Sequence, residues 1–311
     1  METLGSLTTE ARNVNSEHID ELSTLEMLTV INKEDATVAT AVASQLSEIA
    51  RAVDLIAERF TQGGRLFYIG AGTSGRLGVL DASECPPTFS VPPNLVQGLI
   101  AGGDHALRNA SESAEDSSEQ GASDLAAAGF GIANSSDPQA PTPDILVGIA
   151  SSGRTPYVLG ALLHARSLGA LTIGLSCVAG SPITKIVGLA ITPVTGPEVI
   201  TGSTRMKAGT ATKLVLNMIS TGVMIKTGAV YGNLMVNVKP TNDKLVDRAH
   251  RIIMAATGCD RYTATRLLIE GGSVKVAIAM QQLSLSREAA EERITAAGGS
   301  LSKALHANSP A

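Results

Sequence analysis

The sequence has 311 residues, which suits one large domain or two smaller ones. Hydrophobic residues account for 44% of the chain but aromatic residues for only 3%, so the core must consist mainly of Ala, Val, Leu and Ile, as is typical of layered α/β proteins. The formal net charge of −5 gives no indication of the broad basic surface that a nucleic-acid partner requires.

Cysteine and histidine are too scattered to predict a disulfide framework or a metal site. The three cysteines, Cys85, Cys177 and Cys259, include no C-x-x-C pair, and the histidines include no pair with metal-ligand spacing. We therefore predict no metal.

Targeting and membrane signals are also absent from the sequence. The N-terminal residues METLGSLTTEARN have neither the basic nor the apolar region of a signal peptide. The uncharged stretch 214–225 contains polar side chains and is too short to cross a bilayer. We expect a cytoplasmic protein with no membrane partner.

Taken in chain order, residues 1–60 predict an N-terminal arm and a long helix. The first thirty residues are polar and are expected to be irregular. Asn32 is typical of a helix cap, and apolar residues then recur at helical spacing from Val38 to Phe60, ahead of Gly63-Gly64.

The next segment predicts a buried strand, Leu66–Ile69, followed by the glycine-rich stretch 70–75 and a helix. Glycines allow a tight turn, Thr73 and Ser74 supply hydroxyls, and a helix N-terminus favours anions. The stretch matches G-x-G-x-x-G, but the acid of a dinucleotide site, expected about 20 residues later, does not end a strand here. A phosphate site is favoured over a dinucleotide site, and an ordinary structural turn remains the alternative. Glu84 is predicted near the far end of the helix.

A second helix is predicted from about 104 to 128, with Glu112, Glu115 and Glu119 on one face. This acidic face has two interpretations. It is either an ordinary solvated surface, or a cluster whose mutual repulsion raises a carboxylate pKa for use as a general base.

Further strands are predicted at 144–150, 171–176 and 189–194, alternating with helices. This alternation predicts a doubly wound, mostly parallel α/β sheet, with ligands at the carboxyl ends of its strands. A second hydroxyl-rich loop, Ser151-Ser152-Gly153-Arg154-Thr155, follows the strand at 144–150 and is expected to converge with the 70–75 stretch on one ligand.

The stretch 198–210 places Glu198, Ser203 and Lys207 ahead of a long helix predicted at 211–226. It is interpreted either as ordinary helix capping or as part of a binding site.

Four short helices predicted at 243–257, 261–270, 273–282 and 287–297 form a small C-terminal module. The domains are thus expected at 1–60, 61–240 and 241–311.

Several of these motifs carry a family resemblance. The stretches GAGTSGR and SSGRT resemble the phosphosugar loops of sugar isomerase (SIS) domains. LDASECPPTF, AEDS and TGSTRMKAGTATK resemble, more narrowly, the N-acetylmuramic acid 6-phosphate etherases. The C-terminal GCDRYTATRLLIEGGSVKVAIAM is similar to small ubiquitin-associated-type (UBA-like) helical modules.

The resemblance implies a carbon–oxygen lyase that needs no cofactor. Such an enzyme cleaves the lactyl ether of N-acetylmuramic acid 6-phosphate to N-acetylglucosamine 6-phosphate and D-lactate, in the recycling of cell-wall amino sugars. Related SIS proteins imply a homodimer with shared sites. The implied catalytic acids match Glu84, as proton donor, and Glu115, as base. The implied substrate contacts are Thr73, Ser74, Ser151, Ser152, Thr155, Glu198, Ser203 and Lys207.

Two other functions are compatible with a phosphosugar-binding domain. An aldose–ketose isomerase also needs a base at C2 but leaves the lactyl group attached. A non-catalytic sugar-phosphate sensor, such as the related glucokinase regulatory protein, needs the hydroxyl loops but not the two acids.

Overall fold

A parallel five-stranded sheet is the centre of the structure, a computed structural model that describes residues 9–109, 111–132 and 140–306. The spatial order of the strands is β2-β1-β3-β4-β5, and all neighbouring strands pair in parallel. The strands are β1 (Leu66–Gly70), β2 (Val96–Ile100), β3 (Ile145–Ile149), β4 (Leu171–Leu175) and β5 (Leu189–Ile191). The predicted α/β fold is confirmed.

Thirteen α-helices are assigned within the described residues. They are α1 (Thr24–Asp35), α2 (Val38–Ala43), α3 (Leu46–Thr61), α4 (Gly72–Phe89), α5 (His105–Arg108), α6 (Ser118–Ala127), α7 (Pro156–Ser167), α8 (Lys207–Lys226), α9 (Asp243–Thr257), α10 (Arg261–Gly271), α11 (Val274–Leu283), α12 (Arg287–Ala296) and α13 (Leu301–His306). Short 3-10 helices lie at Val14–Ser16, Ile19–Glu21, Glu112–Glu115 and Pro182–Lys185. In the described part of the chain, no helix has the length and apolar character needed to cross a membrane.

Both faces of the sheet are covered by helices, as the apolar composition of the strands requires. On one face, Phe67 and Leu146 pack with side chains of α6 and α7, including the buried Leu125 and Leu162. On the other face, α4 lies close to β1 and β2, with Gly78 of the helix facing Tyr68 of the strand.

The chain divides into two compact units. The first comprises Met1–Ser83 and Pro93–Ser220, and the second comprises Glu84–Pro92 and Thr221–Ala311. In the second unit, helices α9 to α13 enclose their own apolar core. The predicted C-terminal helices are confirmed there, with α13 in addition. The three predicted domain boundaries stay a prediction.

The N-terminal sixty residues differ from the expectation of an irregular arm and one long helix. Helix α1 already begins at Thr24, because Ser23 and Glu26 form a reciprocal capping box. The long helix is broken into α2 and α3. Thr37 donates its hydroxyl hydrogen bond to the carbonyl of Glu34, and Ser44 does the same to Ala41, so both compete locally with helical bonding at the breaks.

The single helix predicted at 104–128 is wrong. The structure has α5, a 3-10 turn and α6 in its place, and the hydroxyl of Ser117 accepts from the backbone N–H of Gln120 to start α6. Glu112, Glu115 and Glu119 therefore do not share one helical face. Strand β2 was not predicted from the sequence, since Gly98 interrupts its short apolar run.

Candidate functional site

The first hydroxyl-bearing segment lies at the start of α4, directly after β1. Gly72 is the first residue of the helix and has a φ of 52°, a conformation that glycine adopts without strain. Thr73 and Ser74 thus lie in the first helical turn, where backbone N–H groups have no helical partner and the helix dipole is positive. This arrangement is suited to an anion.

The neighbouring Arg76 is not directed to that anion position. Its guanidinium donates to the carbonyls of Ala106 and Leu107, at 2.8 and 3.1 Å, and to that of Asn109. Arg76 therefore fixes the short helix α5 against α4.

The second hydroxyl-bearing segment follows β3, which pairs directly with β1. Gly153 has a φ of 67°, and a Cβ there would collide with Ser181. Thr155 precedes Pro156, the first residue of α7. Ser151 and Ser152 are half-buried. The segment thus ends at the N-terminus of a second helix.

Strand order explains why the two segments belong together. The chain passes from β1 to β2 on one side and returns to β3 on the other, so the direction of winding reverses between β1 and β3. Ligands of open parallel sheets bind at the carboxyl edge at such a reversal. The two predicted hydroxyl loops flank this point.

The two candidate acids lie on different elements. Glu84 is exposed and lies on α4, two residues before a proline pair that the helix accommodates. Glu115 is also exposed and is the last residue of the 3-10 turn that begins at Glu112. Glu84 belongs to the second compact unit and Glu115 to the first. Their assigned roles stay predictions.

Glu198 and Lys207, predicted as substrate contacts, both have partners within the protein. The carboxylate of Glu198 is buried and accepts the backbone N–H groups of Lys207 and Ala208, at 2.9 and 3.0 Å, at the start of α8. The ammonium of Lys207 is buried 2.6 Å from a carboxylate oxygen of Glu34. Ser203, by contrast, is half-buried in the loop ahead of α8.

The N-terminal arm contacts the same loop, and sequence reasoning missed this. Asn13 donates to the carbonyl of Pro197 at 3.3 Å, and the hydroxyl of Ser16 donates to that of Val199 at 2.7 Å. The arm is therefore part of the support of residues 197–207.

Glu34 links the arm to α8. It accepts from Asn15 at 2.8 Å as well as from Lys207. Burial opposes its ionisation, but hydrogen bonds from Lys207, Asn15 and Asn13, with the charge of Lys207, outweigh burial and hold the pKa of Glu34 below its usual value of 4.5. Glu34 is therefore a carboxylate at neutral pH.

A pocket of about 640 Å³ lies beside the turn that carries Glu115. Ser113, Ser117, Asp124 and Tyr157 contribute to its wall. None of the hydroxyls predicted to hold phosphate lines it. The pocket is therefore distinct from the position that the two helix N-termini define. Across the residues that the structure describes, no group of three or more His, Cys, Asp or Glu is placed to hold a metal.

Comparison with known proteins gives a consistent set of relatives. The chain is 55% identical to an N-acetylmuramic acid 6-phosphate etherase of Aeromonas hydrophila subsp. hydrophila, over 97% of this chain and 99% of the relative. The etherase of Pasteurella multocida is 53% identical over 96% of this chain and 97% of the relative. A family model described as the N-terminal SIS domain of glucokinase regulatory protein matches residues 48–166.

Solved structures that the chain matches include two phosphoheptose isomerases. The protein from Francisella tularensis is 16% identical and has a TM-score of 0.46, covering 66% of this chain and 100% of that chain. The one from Neisseria gonorrhoeae is 14% identical and has the same TM-score, covering 65% of this chain and 98% of that chain.

The buried Glu34–Lys207 pair generates a stability prediction. Glu34→Gln leaves a buried ammonium without its counter-charge, so we expect the free energy of unfolding to fall by about 3–5 kcal/mol at pH 7. Chemical denaturation measures it, with the exposed Glu58→Gln as the control expected to change little.

The pH dependence follows from the lowered pKa of Glu34. A carboxyl group whose pKa is lower in the folded state stabilises the protein above its unfolded pKa, here 4.5. That stabilisation is lost as the pH falls through the folded pKa. The difference between wild type and Glu34→Gln should therefore shrink below pH 4.5. A difference that is constant with pH contradicts the assignment.

Proposed function

Because this chain belongs to the N-acetylmuramic acid 6-phosphate etherase family, we propose that it cleaves the D-lactyl ether of N-acetylmuramic acid 6-phosphate. The products are N-acetylglucosamine 6-phosphate and D-lactate. The observation that carries the proposal is the full-length match, at 55% identity, to an etherase of nearly the same length.

The phosphate of the sugar is proposed to lie between the two helix N-termini. Thr73 and Ser74 at α4, and Ser151, Ser152 and Thr155 ahead of α7, are its proposed ligands. Pairing of β1 with β3 supports this assignment, because it brings the two segments to the same edge of the sheet. Holding a group remote from the reaction allows its binding energy to be used at C2 and C3.

The proposed reaction is an elimination followed by hydration. In the ring-opened sugar, the C2 proton is α to the C1 aldehyde, and the lactyl oxygen is attached to C3. Glu115 removes the C2 proton, the C2–C3 double bond forms, and the C3–O bond breaks as Glu84 protonates the departing lactate. Water then adds at C3 and a proton returns to C2. General acid–base steps of this kind each contribute roughly 10²- to 10⁴-fold.

This chemistry needs two proton-transferring groups but no cofactor. The ether is inert to direct displacement because an alkoxide is a poor leaving group. The aldehyde at C1 makes the C2 proton acidic, so the lactyl group can leave by elimination and not by direct displacement. Glu198, Ser203 and Lys207 are proposed to shape the sugar and lactyl end of the site. The buried contacts of Glu198 and Lys207 favour an indirect role for these two.

The sensor alternative has one observation in its favour, the match to the glucokinase regulatory protein model. That match covers residues 48–166 only, whereas the etherase relatives cover nearly the whole chain. A sensor also does not need acids at positions 84 and 115. An isomerase would leave the lactyl ether intact.

A homodimer with shared sites is also proposed. Helix α1 contains several large apolar side chains, yet its single buried residue is Glu34. Leu25 is 77% exposed and Leu28 is 52% exposed. A helix whose large apolar side chains face solvent is typical of a surface that a second copy covers. The same helix supports residues 197–207 through Glu34, so assembly and site are linked.

The proposed location is the cytoplasm, in recycling of cell-wall amino sugars. A sugar phosphate carries charge and does not cross a hydrocarbon layer unaided. The reaction is therefore expected in the compartment where the sugar is phosphorylated.

The phosphate assignment predicts selective loss of binding. Ser74→Ala and Ser152→Ala each remove a hydroxyl bond to a charged group, worth about 1.5–3 kcal/mol, or roughly 10- to 100-fold in affinity. Calorimetry with the phosphorylated sugar measures the loss, with the exposed Ser47→Ala as the unaffected control. The unphosphorylated sugar should bind poorly throughout. Equal affinity of the wild type for the two sugars would refute a phosphate site.

The acid–base assignment predicts different isotope exchange in two mutants. Glu115→Gln should abolish both lactate release and exchange of the C2 hydrogen with deuterated water. Glu84→Gln should block lactate release but still allow slow C2 exchange, because the enolate forms without rupture of the ether. Glu119→Gln, at a neighbouring carboxylate, is the control. Reversed exchange results mean that the roles are swapped, and exchange in both mutants removes Glu115 as the essential base.

The dimer proposal predicts that a charge on α1 disrupts assembly. Leu25→Asp should shift the protein from dimer to monomer in sedimentation velocity and lower lactate release, because the shared site is lost. Ile132→Asp places the same charge at an equally exposed apolar position, in a loop, and should stay dimeric. A fully active Leu25→Asp monomer would contradict shared sites.

A further inference from the structure

Helices α6 and α7 touch each other through their backbones. A Cβ on Gly121 of α6 would collide with the carbonyl oxygen of Tyr157 in α7. A Cβ on Gly160 of α7 would likewise collide with the carbonyl oxygen of Ser118 in α6. Two glycines, one on each helix, therefore permit a contact with no side chain between the two main chains.

This contact joins two segments of the proposed site. Ser118 lies three residues after Glu115, and Tyr157 lies two residues after Thr155. One partner in each contact is therefore near one of these segments in the sequence: Ser118 is near the candidate base, and Tyr157 is near the second hydroxyl loop. A shift of α6 along α7 would change the distance between them.

A hydrogen bond fixes the position of α6 along α7. The phenol of Tyr157 donates to one carboxylate oxygen of Asp124 at 2.8 Å, and the side chain of Gln120 donates to the other at 2.6 Å. Tyr157 is fully buried. Burial, together with the bond to Asp124 and its charge, raises the pKa of Tyr157, so the phenol remains a donor at all working pH values.

We propose that Tyr157 and Asp124 are positioning residues, which hold the Glu115 turn at a fixed separation from the Ser151–Thr155 loop. The inference rests on the proposed function. It assigns no contact with substrate to either residue. The glycine contacts set how close the two helices come, and the phenol–carboxylate bond adds a constraint on their relative position. The Tyr157–Asp124 bond is directional and selects one position.

The kinetic test uses the full-length protein and separates positioning from binding. Tyr157→Phe keeps the ring in the core and removes only the donor. We expect kcat for lactate release to fall about 10-fold or more, since displacement of a catalytic group by about 1 Å has large effects. KM should stay within about twofold, because the proposed phosphate ligands at the start of α4 and in the loop ahead of α7 are all unchanged in this variant. C2 exchange should fall in parallel with lactate release.

Variants at Asp124 complete a double-mutant cycle with Tyr157→Phe. Asp124→Ala should reproduce the Tyr157→Phe defect, and the double variant should be no worse than either single one, as expected for two members of one interaction. Asp124→Asn keeps an acceptor for the phenol and should stay near wild-type kcat. Tyr262→Phe, at a tyrosine that is 80% exposed on α10, is the control for the chemical change.

Amide hydrogen exchange provides a readout that does not depend on activity. Tyr157→Phe should increase exchange in both 111–117 and 151–155, relative to Tyr262→Phe. Unchanged exchange in either segment, or an unchanged kcat in an active enzyme, overturns the inference. If the wild type releases no lactate, the proposed function fails instead, and the exchange data alone decide on the positioning role.

Discussion

The close approach of α4 to the sheet is the constraint on which the first half of the candidate site depends. A Cβ at Gly98 of β2 would lie 2.5 Å from the Cα of Val79, and one at Gly75 would lie 2.6 Å from the side chain of Ile100. Any larger residue at these two positions would push the helix outward. Thr73 and Ser74 begin this helix, so two glycines packed between the helix and β2 set where the hydroxyls lie.

The second half of the site depends on the same kind of close contact. Helix α7 carries the other hydroxyl loop and meets α6 through glycine and the Tyr157–Asp124 hydrogen bond. The hydroxyls proposed to bind phosphate therefore come from loops and helix starts. The distances between them are set by glycines where α4 packs on the sheet and where α7 packs on α6.

Local patterns were sufficient to predict the strands that hold the hydroxyl loops, but not the contacts that position them. The apolar runs at β1 and β3 and the glycine-rich turns after them are short-range signals. Strand β2 was not predicted, because a glycine within a short apolar run weakens the sequence signal of a strand. In the structure, Gly98 is required because α4 packs directly against it. The break at Ser117 was missed because one side-chain cap outweighed a run of helix-forming residues. Lys207 was predicted to contact substrate because nothing in the sequence reveals a partner as distant as Glu34.

The ties between the N-terminal arm and the loop before α8 also have a consequence for synthesis of the chain. Asn13 and Pro197 are 184 residues apart, Ser16 and Val199 are 183 apart, and Glu34 and Lys207 are 173 apart. The arm leaves the ribosome first, but its partners are among the last residues of the first compact unit to be made. At about 5–20 residues per second, the arm waits on the order of ten seconds or more for them. During that interval Asn13, Ser16 and Glu34 are hydrated by water, so the arm can reach its final position only after the loop before α8 has been made.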